Sequence, residues 1–200
     1  MIKEDQLADK IREYIRDNSG YDVHRNYLGM SGINRCSRRL YDAYFNPSEP
    51  TEEAYRNCYL GYLWEWETRN ILSDLRIYMP DSERELIASF DARFVGHTDG
   101  ETTDGRLLEI KSVNLRGMDR IKEENRLKPD HYAQVQVYMR YGNYSQALVV
   151  IVCRDSLEFQ FINLARDVKT GERLERKAQM ILGAIDARRR PRCDCRFSCQ

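Results

Sequence analysis

Apolar residues recur at helical spacing over 4–17, where Leu7, Ile11, Tyr14 and Ile15 form a stripe between charged positions. Asn18-Ser-Gly20 stops that helix. The spacing predicts a second helix over 35–46, ending before Asn46-Pro47, and a long one opening at Thr51-Glu-Glu and running to about Tyr78. The period then shortens. Strands are expected near 86–90, 92–97 and 106–112. Residues 115–128 are charged and read as a loop or short helix. Residues 129–141 fit strand alternation as well as a helix, but Pro129-Asp130 suits a helix N-terminus and Leu127 could staple it, so a helix is expected. Two apolar runs, 147–153 and 157–162, are split by Arg154-Asp-Ser and read as a hairpin. A last helix covers 167–189 and stops before Pro191. The order is helices, three strands, helix, two strands, helix: an α/β chain with an αβββαβ core behind an N-terminal helical addition.

At 200 residues and 42% hydrophobic content the chain suffices for one packed domain. A helical part is expected over 1–80, the core over 81–190 and a cysteine-rich tail over 191–200. Thirty-two basic residues balance 32 acidic ones. This argues against a uniformly basic nucleic-acid coat and leaves room for a local basic groove. Arg188-Arg-Arg-Pro-Arg192 is such a local run. No apolar stretch approaches the ~20 residues needed to span a bilayer, and the polar N-terminus lacks a secretory pattern. A cytoplasmic chain is the expectation.

Asp99, Glu109 and Lys111 carry the candidate chemistry. Apolar runs 92–95 and 107–110 flank a polar link holding Gly100, Asp104 and Gly105, a hairpin signal that would bring Asp99 near Glu109. Alternate strand residues share a face, so Glu109 and Lys111 point one way and Ile110 the other, into the core. Two carboxylates beside an amine offer hard oxygen ligands for Mg²⁺ or Mn²⁺. Such a site suits metal-assisted phosphodiester hydrolysis. Alternating charges also occur on solvated strands, and the literal Pro80-Asp81 and Pro129-Asp130 pairs are not placed to join the site.

The pattern resembles the PD-(D/E)XK nuclease superfamily, with Asp99 as its aspartate and Glu109-Ile110-Lys111 as its E-x-K. Two further marks resemble the RecB-like branch. Gly61-Tyr-Leu-Trp64-Glu65 stands for its helical G-x-x-x-H/E, with Glu65 an implied additional ligand. Gln134-Val-Gln-Val-Tyr138 stands for Q-x-x-x-Y on the helix after the E-x-K strand. Residues four apart share a helix face, so Gln134 and Tyr138 would together hold the DNA backbone and position the lysine. The resemblance implies a DNA exonuclease in which Asp99, Glu109, Glu65 and the Ile110 carbonyl hold Mg²⁺ or Mn²⁺. Arg38, Arg39, Arg189 and Arg190 are candidate phosphate contacts. A different class remains open, a weakly or non-catalytic module that binds DNA ends or docks a recombination or CRISPR-adaptation partner.

Six cysteines in such a chain read as ligands or core thiols. Cys58 and Cys153 lie in apolar contexts that suit burial. Cys36 lies ahead of the core, and Cys193, Cys195 and Cys199 follow it. This arrangement resembles the RecB-like exonucleases of the CRISPR-associated type and the AddB nuclease domain, which implies a 4Fe–4S cluster clasping the two ends. The C-x-C-x-x-x-C spacing departs from the C-x-x-C of those families. It leaves a structural Zn²⁺ as the alternative. His97 would share the strand face of Asp99, and some aromatics among Tyr41, Tyr44, Tyr62, Trp64 and Trp66 could stack on unpaired bases.

Overall fold

The structure is a computed structural model that describes residues 4–20 and 26–195. Cys199 lies outside the described residues. Helix α1 (Glu4–Asp17) lies on α3 (Glu52–Asp74), with Tyr14 meeting Tyr59 edge-on at 6.3 Å and Arg16 paired with Glu52. Thr51 caps α3 by accepting from the Ala54 N–H at 3.1 Å. Helix α2 (Ser37–Phe45) follows a short strand β1 (Leu28–Gly29) and a turn of 3-10 helix (Met30–Gly32).

The long helix ends at Asp74, earlier than its pattern suggested. Arg76 has φ +58, and the chain re-enters a sheet at β2 (Tyr78–Met79). Strands β3 (Glu85–Ala88) and β4 (Asp91–His97) form an antiparallel pair, and β1 joins β4 in parallel. The second sheet has the order β2–β5–β6–β7–β8, where β5 is Glu101–Thr102, β6 Leu107–Val113, β7 Gln146–Cys153 and β8 Phe159–Ala165. Only β6 and β7 run parallel in it. Residues 115–124 form a true helix, α4, capped by Asn114. Helices α5 (Pro129–Tyr141) and α6 (Val168–Asp186) complete the chain.

The expected hairpin is replaced by two separate pairings. The tight turn over Thr102–Gly105 joins β5 to β6, whereas β4 pairs with β3 and β1. The two sheets touch where β4 ends: the Leu108 N–H reaches the Gly100 carbonyl at 3.0 Å, and the Ile110 N–H reaches Asp99 Oδ2 at 2.6 Å. Gly100 has φ +128, and a Cβ there would stand 2.5 Å from the Tyr78 ring. Only glycine fits both constraints at this crossing.

The β6–β7 pair is buried on both sides. Leu107, Val113, Val149 and Ile151 join the main core with α4, α5 and α6, while Leu108, Ile110, Leu148 and Val150 pack with Leu72 and Tyr78 in a smaller one. Double burial produces the continuous apolar runs in those strands. Glu109 lies on the main-core side of β6, fully buried, where the pattern of the strand would otherwise put an aliphatic residue.

Candidate active site

Strand β6 presents Glu109 and Lys111 on one face, as its two-residue period requires. The Lys111 ammonium is paired with Glu109 Oε1. That oxygen also accepts a 2.7 Å hydrogen bond from the Gln134 side-chain amide on α5. Glu109 Oε2 is buried and has no hydrogen-bond partner. A buried carboxylate oxygen left bare costs stability unless something else satisfies it. Asp99 comes from the opposite side, at the crossing of the two sheets, held by the Ile110 N–H. Glu65 reaches the same place from α3. Its Oε1 lies 3.3 Å from Arg69, which also pairs with Glu83.

These charges perturb one another. Burial first, and the Asp99 charge second, push the Glu109 carboxyl up to about 8. The same two causes push Glu65 up to about 7. Burial also raises Asp99, against the pull of Lys111 and the Ile110 N–H. For Lys111 burial works against the charge, but the Glu109 and Asp99 carboxylates outweigh it and hold the ammonium above its ordinary value. Burial, Lys111 and Lys128 bring His131 down to about 4, so it is neutral at neutral pH.

Like charges, raised carboxyls and an orphaned Glu109 oxygen together fit a hard divalent cation. Three carboxylates and one lysine supply hard oxygen donors of the kind Mg²⁺ and Mn²⁺ accept. Among the described residues, the one group of three His, Cys, Asp or Glu ligand atoms all within 4.8 Å of one another is instead Cys36, Cys193 and Cys195. Glu65, Asp99 and Glu109 do not together meet that spacing, and Lys111 is bonded to Glu109.

The site opens into a cleft of about 530 Å³ bounded by α3, the end of β4, β6 and α5. Its walls include Glu65, Lys111, Gln134 and Tyr138, which the sequence had singled out, together with His97. Tyr138 is nearly buried, with its ring against Gly96, where a Cβ would stand 2.6 Å away. Gln136, two residues from Gln134, faces the other way. It donates to the Ala165 carbonyl at 3.1 Å and accepts from the Asp167 N–H at 2.6 Å, so it ties α5 to α6.

Arg38, Arg39, Arg189 and Arg190 do not line this cleft. Arg190 grips Asp42 of α2 with two nitrogens, and the Arg38 Nε is buried. Cys153 is buried as its context suggested. Cys58 is only half-buried and lines the cleft wall. The sequence reading also passed over His131 and Arg69. Both had a signal in spacing: His131, Gln134 and Tyr138 lie at i, i+3 and i+7 on α5, and Arg69 follows Glu65 by four.

Away from the carboxylates, Cys36 precedes α2, and its sulfur lies 3.7 Å from that of Cys193. Asp194, between two of the cysteines, accepts from the Ser37 N–H at 2.8 Å and from the Ser37 hydroxyl at 2.5 Å, and Lys177 of α6 pairs with it at 3.1 Å. The tail is thus bonded to α2 and α6 beside the sulfurs. Three thiolates at this spacing fit a soft metal centre.

No family model matches the chain, and no curated protein matches it. Solved structures do. The alkaline exonuclease LHK-Exo from Laribacter hongkongensis aligns with TM-score 0.61 at 16% identity over 88% of this chain and 93% of that one. The LHK-Exo structure in complex with dAMP aligns with TM-score 0.65 at 17% identity, over 82% and 90%. The protein SSO0001 aligns with TM-score 0.54 at 16% identity, over 88% and 86%. The chain therefore has the mixed α/β fold of the LHK-Exo exonuclease, an αβββαβ core of α3, β3, β4, β6, α5 and β7 behind an N-terminal helical addition.

Proposed function

We propose that this protein is a metal-dependent deoxyribonuclease, an exonuclease acting on single-stranded DNA or DNA ends. The observation that carries the reading is the fully buried Glu109 carboxylate, bonded to Lys111 and Gln134 through one oxygen and bare at the other, facing Asp99 across the sheet crossing. A buried carboxylate oxygen without a partner calls for an explanation, and a bound cation supplies one. Asp99, Glu109, Glu65 and the Ile110 carbonyl are the proposed ligands. Mg²⁺ or Mn²⁺ held there would polarise the scissile phosphate and acidify a bound water.

Lys111 is held as a cation by its carboxylate neighbours, so its role is to orient the attacking water and neutralise charge growing on the phosphate. Gln134 fixes the orientation of Glu109, and Tyr138 closes the α5 side of the cleft. The fold of an alkaline exonuclease supports the choice of DNA as substrate. The cysteines form the second part of the proposal: Cys36, Cys193, Cys195 and Cys199 ligate one 4Fe–4S cluster, with a role in structure rather than hydrolysis, because the hydrolytic ligands are hard oxygens elsewhere. Iron analysis against zinc separates this from a Zn²⁺ site.

The test is digestion of a labelled oligonucleotide with Mn²⁺ and with chelator. Asp99→Ala and Lys111→Ala should each lower the rate by about a hundredfold or more while the circular dichroism spectrum is kept. Unchanged digestion by both variants would make the chain a DNA-binding module instead.

A further inference from the structure

Helix α3 carries a feature that the proposed chemistry does not use. Tyr55, Thr68 and Leu72 are its buried residues, and Cys58, Gly61, Tyr62 and Glu65, along the same stripe, line the cleft. Of the aromatics ahead of the core, Tyr41 is buried, and Tyr44 and Trp64 are half-buried. Within α3, Tyr62 and Trp66 are the widely exposed aromatics, at 51% and 53%. They are four residues apart and so lie one turn from each other on the helix surface. Tyr62 lines the cleft, and Glu65 follows it by three.

Gly61 sharpens the point. A glycine inside a helix costs stability relative to alanine. Packing gives no reason for it here, since a Cβ at Gly61 would meet nothing within 4 Å. Bare helix backbone beside an open space is where a ligand can come close. Among the described residues, Lys111 is the one lysine or arginine along the cleft wall, and it is engaged by Glu109. A duplex held by its phosphates needs several such contacts. An unpaired base held by stacking needs aromatic faces instead.

We infer that the Gly61, Tyr62 and Trp66 strip of α3 is a base-stacking lip that seats an unpaired nucleobase of a single-stranded DNA end beside Glu65. This rests on the nuclease reading for the identity of the substrate, but its own test is binding, which needs no cleavage. The ring of Tyr62 takes the terminal base, Trp66 supports the next one outward, and the missing Cβ of Gly61 lets the sugar approach the helix. The strand is then gripped through its bases, so binding weakens only shallowly with salt.

The experiment is equilibrium binding of a single strand carrying 2-aminopurine at its end, with Ca²⁺ in place of Mn²⁺. Stacking on Tyr62 should quench the fluorophore. Tyr62→Ala should abolish the quench and raise Kd by roughly tenfold, the scale of one lost base–aromatic stack. An abasic terminal nucleotide should weaken the parent by a similar factor and leave Tyr62→Ala no worse. Gly61→Ala should raise the Tm while weakening binding, a combination that a purely structural glycine would not give. Leu60→Ala, exposed on the far side of α3, should change neither. The lip is overturned if Tyr62→Ala and Trp66→Ala bind with the parent's Kd, or if Tyr62→Ala loses as much on the abasic strand as on the intact one. Cleavage by the parent with Mn²⁺ tests the nuclease reading separately, so either can fall without the other.

Discussion

Metal binding at the carboxylates should expel protons, and the number follows from the site. Glu109 titrates near 8 and Glu65 near 7, each raised first by burial and then by Asp99. At about pH 7 a carboxyl with a value near 7 holds roughly half a proton, and one near 8 holds most of one. A ligating carboxylate must be deprotonated, so Mn²⁺ binding at that pH should release on the order of one proton. The release should grow toward two near pH 6 and vanish above about pH 9, where both groups are already ionised. Apparent affinity should rise with pH over the same window. The sign for the metal-free protein is the reverse of an ordinary acid. Its folded state binds more protons than the unfolded chain between the ordinary glutamate value of 4.5 and about 8, so its stability should fall as pH rises through that range. Isothermal titration calorimetry of Mn²⁺ in several buffers of differing ionisation enthalpy counts the protons directly. Glu109→Gln should remove most of the release. A count of zero near pH 7, or one that stays constant from pH 6 to 9, would refute the assignment of these carboxylates as a coupled metal site.

The two glutamines of α5 should separate structure from function. Gln136→Ala breaks two buried bonds to the Ala165 and Asp167 backbone and should cost about 2–4 kcal/mol in urea unfolding, whereas Gln134→Ala should act mainly on cleavage; the opposite ranking would mean the α5 faces are misassigned. Gly96→Ala should destabilise by about 1–3 kcal/mol, because the new methyl meets the Tyr138 ring and the Met30 sulfur, and an unchanged Tm would contradict that packing. Cys36→Ser or Cys193→Ser should bleach absorbance near ~400 nm in anaerobically purified protein, while Cys153→Ser should not, and stoichiometric zinc without iron would replace the cluster with a zinc site.

The sequence by itself determined the elements and most of the candidate site residues. Helical and strand periods are local properties, so α1, α2, α5 and the β6–β7 runs were legible within a few residues. The strand period alone placed Glu109 and Lys111 on one face and Ile110 on the other. Spacing on a single helix likewise paired Gln134 with Tyr138. The tertiary structure decided what depends on contacts between distant segments. Asp99 meets β6 across a junction of two sheets, because β4 is already paired with β3 and β1, and no local turn signal carries that information. The short β2 breaks the apolar pattern that had extended α3, since it pairs with β5 far along the chain. The basic run at 188–192 is plain in the sequence, and the fold brings Arg190 of that run against Asp42 of α2. Charge is written in the sequence, but whether a cation faces a cleft or a neighbouring carboxylate depends on which surfaces the packing of α2 and α6 brings together. The same holds for the aromatics of α3. Their spacing was visible, but only the structure showed that Tyr62 and Trp66 are the most exposed of them, with Tyr62 on the cleft wall.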